Sequence, residues 1–197
     1  MTIPLNLRSS ADDCGPAPPA TDDAFLIQGC KEGQQRAEME LYRRYYPLVR
    51  GVCRRYAEQE DQIDDWVNRS FLRALSALHQ YNSQGALGAW LRRITVNVCI
   101  DELRRSQALK RRSPGVDLAA LTIPVTPAAL DALALADLIA MIQQLPTLPR
   151  TVFNLHVVEG YSHAEIAHQL GLSEVNSRYF LRRSRLLLQS IIQNHKL

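Results

Sequence analysis

The sequence predicts an all-α fold of two small helical domains joined by a flexible linker, with a helix-turn-helix in the C-terminal domain. Apolar residues recur every three or four positions over residues 24–112, and no stretch there alternates convincingly as a strand would. Residues 113–132 hold prolines and a glycine without a strong period, as a linker does. Helical spacing returns over 133–197, and the 197 residues are enough for one medium domain or two small ones.

Residues 1–23, which precede the first helical pattern, are expected to form a disordered tail. From Ser9 to Asp23 the chain is rich in proline and aspartate and almost without large apolar side chains. A segment of this composition cannot bury enough apolar surface to fold.

Composition and spacing argue against several classes of protein. No apolar run approaches the length of a membrane span and the N-terminus lacks the apolar core of a signal peptide, so we expect a cytoplasmic protein without membrane insertion. The four cysteines are far apart with no CxxC pair, and His163 and His168 do not share a helical face. We therefore expect reduced thiols and no metal or other cofactor. Without a P-loop or a nucleophile–base spacing, we expect no enzyme.

The first domain opens with two long helical patterns. Helical spacing in the first pattern joins Leu41, Tyr45, Val52 and Tyr56. Pro47 lies inside it and is expected to open a new turn or to kink the helix. The second pattern covers residues 61–81 and has one stripe predicted to be buried: Ile63, Val67, Phe71, Ala74, Leu75 and Leu78.

The opposite face of this second helix mixes charges with a tryptophan and a leucine, which is the composition of a protein interface. Its residues are Asp61, Asp65, Trp66, Arg69, Leu72 and Arg73. The alternative is that Trp66 packs on a neighbouring helix.

The stretch WLRRITVNVCIDELRR, Trp90 to Arg105, is apolar around most of a helix. One side carries Trp90, Leu91, Ile94 and Val98, and much of the other carries Val96, Cys99, Ile100 and Leu103. Between them runs a narrow polar seam that comprises Arg93, Asn97, Asp101 and Arg104, with Arg105 just past it. The seam is either solvated, with an Arg93–Asp101 or Asp101–Arg105 ion pair, or it contacts something polar and anionic.

Local signals in the last quarter of the chain predict a helix-turn-helix. Ser162 and Glu165 form a capping-box pattern, Gly171 is placed to end that helix in a left-handed turn, and Ser173 can cap the next helix. Two short helices joined by such a turn are typical of this motif.

The second helix of the motif carries a polar stripe that suits DNA. Within about a quarter of its circumference fall Glu174, Arg178, Arg182, Arg185 and Gln189. Tyr179, Phe180, Leu186 and Leu187 are expected on the apolar back, with Arg183 as a misfit. Arginine can hold phosphates or take guanine edges in the major groove. The alternative is a solvated amphipathic helix.

Charge is concentrated in the two predicted domains. Residues 25–110 hold 14 basic and 10 acidic side chains, and residues 149–197 hold six and three, whereas the net charge of the chain is only +3. Two basic segments suggest two modules that face the same kind of partner.

Several spaced motifs resemble the extracytoplasmic-function sigma factors, which are alternative specificity subunits of bacterial RNA polymerase. GALGAWLRRITVNVCIDELRR is similar to that family's W-L-x-R-I-x-x-N-x-x-x-D-x-x-R pattern. LPTLPRTVFNLHVVEGYSHAEIAHQLGLS is similar to its second-domain pattern. The resemblance covers residues 24–195 except the linker, and it implies two helical regions: 24–112 as region 2 and 133–197 as region 4.

The resemblance also implies roles for the seam and for the recognition helix. Single-stranded DNA of the minus-ten element would contact Trp90, Arg93, Asn97, Arg104 and Arg105, with Asn97 on an unpaired base. The minus-thirty-five duplex would contact Glu174, Asn176, Ser177, Arg178, Arg182 and Arg185. The run Glu174–Tyr179 departs from the family's usual Gly-Thr-Val-Lys-Ser-Arg, which implies an unusual upstream element.

The implied partners are core RNA polymerase, promoter DNA and an anti-sigma protein. The clamp helices of the polymerase would contact the mixed face described above, from Asp61 to Arg73. The chain is expected to be a monomer when free and to join the nucleoid when bound to polymerase. The rival hypothesis is a stand-alone DNA-binding regulator, which predicts a palindromic site and tight binding without polymerase.

Overall fold

The computed structural model describes residues 23–81, 86–112 and 135–195, and these ranges contain eight α-helices and no strand. The predicted all-α class is therefore confirmed. The predicted tail, apart from Asp23, and the predicted linker lie outside the described residues. None of the described helices combines the length and the apolar character that crossing a membrane requires.

The N-terminal module, residues 23–112, is built from four helices and a short 3₁₀ turn. They are α1 (Asp23–Lys31), α2 (Gln35–Tyr56), α3 (Glu60–Ala77), the 3₁₀ turn (Leu78–Gln80) and α4 (Leu87–Arg112). α2, α3 and α4 pack against one another, and α1 packs on α2. A Cβ atom at Gly29 would lie 2.7 Å from the Cβ of Ala37, so this close approach of α1 to α2 requires glycine.

Pro47 does not end a helix, because α2 runs unbroken from Gln35 to Tyr56. The expectation that it opens a new turn is wrong. Buried side chains on both sides of the proline, Leu41 and Val49 among them, pack α2 onto its neighbours. This packing offsets the one backbone hydrogen bond that proline cannot donate.

The stripe predicted on α3 is confirmed. Ile63, Val67, Phe71 and Ala74 are buried, as is Leu78 in the following turn, and Leu75 is half-buried. Trp66 is also buried, with 6% of its surface exposed. It lies three residues after Ile63, on the same side of the helix, so the prediction that it belongs to an exposed interface is wrong.

The C-terminal module, residues 135–195, contains the other four helices. They are α5 (Leu135–Gln143), α6 (Thr147–Phe153), which continues into a π-helical turn (Asn154–Val158), α7 (His163–Leu170) and α8 (Glu174–His195). α6 and α7 both pack on α8, and α5 packs on the later part of α8. The contact between α5 and α8 buries Met141, Ile142, Leu145, Leu188 and Ile192.

The two modules share one hydrophobic core. A single cluster joins buried residues of α2, α3 and α4 to buried residues of the C-terminal module. The C-terminal contribution is Val152, Leu155, Ile166, Phe180 and Leu181. The modules are therefore packed against each other, and the predicted linker is not their sole connection.

Candidate nucleic-acid interface

The C-terminal end of α2 is capped by the other module. The last carbonyls of a helix have no partner within it, and leaving them buried and unpaired would be costly. Three side chains of the C-terminal module donate hydrogen bonds to three consecutive carbonyls there. The pairs are Gln143 Nε2 to Arg54 O (3.1 Å), Asn154 Nδ2 to Arg55 O (2.9 Å) and Arg150 Nη2 to Tyr56 O (3.2 Å).

Arg150 is the most buried cation in this contact, with 4% of its surface exposed. Burial lowers the pKa of its guanidinium. Its position at the negative end of α2 favours the charge. The same side chain also donates to Gln143 O (2.9 Å), so it ties α5, α6 and α2 together.

Glu159 forms a second link between the modules, just after the π-helical turn. Its Oε1 accepts from Arg55 Nη2 at 2.6 Å, and its Oε2 accepts from Arg92 Nε at 2.7 Å. The Glu159 side chain is 7% exposed, against 17% for Arg55 and 39% for Arg92. The hydrogen bond to this carboxylate raises the pKa of Arg92. Nearly buried charges of this kind are tolerated because they are paired.

The polar seam of α4 faces the C-terminal module in part. Arg93 and Val96 line a cleft whose other wall contains Glu159, Tyr161 and Glu165. Farther along the seam, Arg104 Nη2 donates to His168 O at 3.2 Å, at the C-terminal end of α7. Two of the predicted minus-ten arginines therefore lie beside the helix-turn-helix.

The cleft brings the carboxylates of Glu159 and Glu165 opposite Arg93, where a DNA phosphate would offer the same negative charge. The backbone and hydroxyl hydrogen bonds from Ser162 lower the pKa of Glu165, and nearby Arg93 adds to the effect. Glu165 is therefore charged near neutral pH and lies within the field of Arg93. The cleft pairs an acidic wall with a basic one.

The ion pairs of the seam differ from those that the sequence suggested. Asp101 pairs with Arg73 of α3 (2.7 Å) and with Arg104 (4.0 Å), whereas Arg105 pairs with Glu102 (2.6 Å). The proposed Arg93–Asp101 and Asp101–Arg105 pairs are wrong. Asp101 instead pairs with Arg73 of the neighbouring helix α3, and spacing within α4 alone cannot predict a partner on another helix.

Trp90 and Asn97 occupy the same side of α4, since seven residues make about two turns. Both are half-buried. The Trp90 ring packs against Tyr81, with ring centroids 5.1 Å apart. An aromatic ring and an amide thus lie along one line with Arg93 and Arg104, which is the set of groups that stack on bases and track a strand.

The predicted polymerase surface on α3 keeps five of its six residues exposed. Leu72 is 58% exposed, and Asp61, Asp65, Arg69 and Arg73 are exposed as well. Arg69 pairs with Asp65 and with Glu102 of α4 (2.9 and 2.8 Å), and Arg73 pairs with Asp101. Only Trp66 leaves the set, because it is buried.

The helix-turn-helix has the local geometry that the sequence predicted. Ser162 Oγ accepts from the Glu165 amide while Glu165 reaches back to the Ser162 amide, so the capping box is complete. Gly171 adopts φ 64° and ψ 38°, the left-handed conformation that ends α7. Ser173 Oγ accepts from the Asn176 amide at 3.1 Å and caps α8.

The faces of α8 differ from the prediction. Its buried side carries Ser177, Phe180, Leu181, Ser184 and Leu188. Tyr179 and Leu186, expected on the apolar back, are instead 54% and 37% exposed. They lie on the outward ridge with Val175, which is 70% exposed, and with Arg182.

The predicted polar contacts of α8 divide into two groups. Exposed residues are Glu174, Asn176, Arg178, Arg182 and Arg185. Arg178 pairs with Glu174 one turn earlier at 2.9 Å. Ser177 is fully buried and its Oγ contacts His163 Nδ1 at 2.9 Å, so it leaves the set of residues that can contact DNA.

Comparison with known proteins identifies relatives of this chain. Sigma-70 region 2 matches residues 41–109, and Sigma-70, region 4 matches residues 135–188. The ECF RNA polymerase sigma-E factor of Haemophilus influenzae is 30% identical over 186 residues, which cover 87% of this chain and 95% of that protein. The chain belongs to the extracytoplasmic-function (ECF) sigma factors.

Two further relatives show the extent of the similarity. The ECF sigma factor SigM of Mycobacterium tuberculosis is 28% identical over 176 residues, covering 83% of this chain and 82% of that protein. CnrH, solved in complex with the cytosolic domain of CnrY, is 26% identical over 87% of this chain and 97% of its own, with a TM-score of 0.46. As an ECF sigma factor, the chain is a transcription initiation factor that directs RNA polymerase to promoters.

Sequence reasoning missed the residues that join the two regions of this sigma factor: Arg55, Arg92, Gln143, Arg150, Asn154 and Glu159. Their hydrogen bonds between the modules span 67 to 104 residues along the chain. Periodicity within one helix carries no information about such pairs. The one available signal was Glu159 beside Gly160, a charge in the otherwise apolar run that precedes the capping box.

We predict that Glu159→Gln loosens the contact between the modules of this sigma factor. The variant keeps the size of the side chain but removes the charge that faces Arg55 and Arg92. Because the three hydrogen bonds that Glu159 accepts from these arginines are charge-assisted and Arg92 is substantially exposed, we expect a loss of about 2 kcal/mol in the free energy of unfolding. Urea denaturation followed by circular dichroism measures it.

Glu174→Gln is the matched control, since Glu174 pairs with Arg178 on an exposed helix surface. Such pairs contribute about 0.5 kcal/mol or less. Equal losses in the two variants would contradict the special role of Glu159.

Proposed function

We propose that each module of this ECF sigma factor contributes one promoter contact and that α3 contributes the polymerase contact. Residues 24–112 act as region 2 and residues 133–197 as region 4. The seam of α4 receives the non-template strand of the minus-ten element, and α8 enters the major groove of the minus-thirty-five element. The observation that carries this proposal is the seam itself, a line of arginine, asparagine and aspartate on a helix whose apolar side chains are mostly buried in the part that the structure describes.

The chemistry of the seam supports single-stranded DNA as its ligand. Arg93 and Arg104 can neutralise phosphates, and the Asn97 amide can both donate to and accept from the edge of a base. Trp90 offers a ring on which an unpaired base can stack. A fully solvated helix face has no need of a half-buried tryptophan and asparagine on one line.

Part of the seam is engaged by the C-terminal module. Arg104 contacts the end of α7, and Arg93 lies across the cleft from Glu165. A DNA strand carries phosphates that can replace these carboxylates and carbonyls. Promoter binding therefore competes with the contact between the modules, and a polymerase that holds the modules apart would favour DNA.

The polymerase contact is placed on α3 around Leu72. An apolar side chain that is 58% exposed, on a helix surface that also carries Asp61, Asp65, Arg69 and Arg73, fits a mixed protein interface. The ion pairs of Arg69 and Arg73 to α4 fix the shape of this surface. Because Trp66 is buried in the hydrophobic core, it packs α3 onto its neighbours and does not contribute to this surface.

The proposal has further parts that follow from family membership. The chain has no catalytic chemistry of its own, works in the cytoplasm, and joins the nucleoid as part of the polymerase. An anti-sigma protein holds it inactive, as NepR is the anti-sigma factor in a co-crystal structure with RpoE of Bartonella quintana. A stand-alone regulator is disfavoured because a sensor domain has no use for the seam of α4.

The experiment that tests this function mixes the purified chain with bacterial core polymerase. Gel filtration should show co-elution, and transcription of a pool of promoter fragments should yield transcripts that depend on the chain. Tight binding to a palindromic site by the chain alone, without co-elution with polymerase, would support the stand-alone regulator instead.

We predict that Asn97→Ala in the polymerase complex impairs promoter opening more than duplex binding. Because the proposed partner of Asn97 is an unpaired base, its amide should matter only after the strands separate. Permanganate footprinting of unpaired thymines should fall about tenfold, since one lost base contact is worth 1–3 kcal/mol. Binding of the closed duplex should change less than twofold.

Asn176→Ala is the matched control on α8, where the exposed amide faces duplex DNA. It should weaken duplex binding and leave the fraction of bound promoters that open unchanged. Wild-type permanganate reactivity in Asn97→Ala would contradict the assignment of the seam.

We predict that Arg182→Ala reduces the salt dependence of promoter binding by the polymerase complex. Arg182 is exposed and makes no ion pair with the described residues, so it is available to phosphate. The slope of log K against log salt should become less steep by about 0.9. Arg43→Ala removes an exposed cation on α2 that pairs with Glu40, and it should leave the slope unchanged. An unchanged slope in Arg182→Ala would contradict phosphate contact there.

A further inference from the structure

The outward ridge of α8 begins with two exposed apolar side chains. Val175 is 70% exposed and Tyr179 is 54% exposed. Because they are four residues apart, Tyr179 follows Val175 by about one turn on the same side of the helix. Ser173 caps the helix immediately before them. The pair therefore occupies the first two turns of α8, on the side opposite the buried Ser177, Phe180 and Leu181.

These turns are the part of a recognition helix that contacts base edges. The sigma factor places a valine and a tyrosine where hydrogen-bonding residues would read most bases. Single exposed apolar residues are common on protein surfaces, but two on successive turns at this position form a small patch that suits a ligand with apolar groups.

The charges beside the pair indicate what kind of ligand this is. Arg182 continues the ridge one turn beyond Tyr179, Arg178 and Arg185 flank the ridge on one side, and all three arginines are exposed. A row of cations beside an apolar strip complements a polyanion that displays apolar groups at regular intervals. Duplex DNA fits this description, whereas an apolar groove on a protein would leave Arg182 and Arg185 without an anionic partner, since only Arg178 pairs with a carboxylate of α8.

The major groove contains one apolar group that identifies a base, the 5-methyl group of thymine. Four residues of helix advance about 6 Å along the axis, which is close to two base steps of about 3.4 Å. The Tyr179 ring packs edge-on against Phe180, with centroids 5.4 Å apart, which limits its freedom before DNA binds. Val175 is stiff at χ1 because it is branched at Cβ.

We propose that Val175 and Tyr179 select thymine methyl groups at two positions of the upstream promoter element, about two base steps apart. The inference rests on the proposed function of α8 and deepens it, because it names the chemical group that the helix reads. It also explains how a recognition helix can depart from the usual run of polar residues and still discriminate bases.

Replacing thymine by uracil tests this inference, because the change removes the methyl group and leaves base pairing intact. A promoter is first chosen by transcription from a pool of fragments with the polymerase complex, and each upstream thymine is then replaced singly. We expect two positions, about two steps apart, at which uracil lowers promoter binding about fourfold, the effect of one buried methyl group.

The variants Val175→Ala and Tyr179→Ala assign the positions. Each should lose sensitivity to uracil at one of them and keep it at the other. Both substitutions are on an exposed helix surface, so the fold should persist, and co-elution with core polymerase should be unchanged. Thymines outside the upstream element serve as the DNA control.

Three outcomes would overturn the inference. The first is an upstream element, chosen by transcription, that contains no thymine. The second is binding by the wild-type protein that no uracil substitution alters. The third is loss of co-elution with core polymerase in the two variants, which would make the pair a protein contact. A chain that gives no promoter-dependent transcript at all would refute the proposed function itself. Promoter-dependent but methyl-insensitive transcription would refute this inference alone.

Discussion

The contact between the two modules depends on the C-terminal end of α2. Its final carbonyls have no partner within the helix and meet the C-terminal module, and the last of them, Tyr56 O, is bonded in a buried position. Gln143, Arg150 and Asn154 supply the missing donors, and Glu159 adds a paired charge against Arg55 and Arg92. Because these groups are costly to leave unpaired and the modules share an apolar cluster, the two modules stabilise each other. The free energy of this contact sets how readily they separate.

The same contact lies beside the surface proposed to hold DNA. Carboxylates and a helix-end carbonyl approach the seam arginines from one side, where phosphates would approach in the promoter complex. The seam arginines can therefore contact either the C-terminal module or DNA. A stronger contact with one of these partners would weaken the contact with the other. Under the proposed function, this exchange gives a physical reason for a sigma factor to bind promoters through polymerase, because the polymerase would supply the binding energy that keeps the modules apart.

Features set by neighbours in sequence were predictable, and features set by distant residues were not. The capping box, the glycine at the end of α7 and the stripe of α3 depend on residues within a few positions, so sequence spacing located them. Trp66, Tyr179 and the partner of Asp101 were misassigned because a helical wheel does not show which side another helix covers. The role of Glu159 needed contacts with residues 67 and 104 positions away.

The most direct test of this account is the distance between α3 and α7 in the free chain and in the polymerase–promoter complex. Spin labels on Ser76→Cys and Ala164→Cys, both exposed helix positions, suit pulsed electron resonance in a Cys14→Ser background, since Cys30, Cys53 and Cys99 are buried. We expect one narrow, short distribution in the free chain and a longer one in the open complex. An unchanged distribution in a transcribing complex would contradict the claim that DNA binding at the seam competes with the contact between the modules.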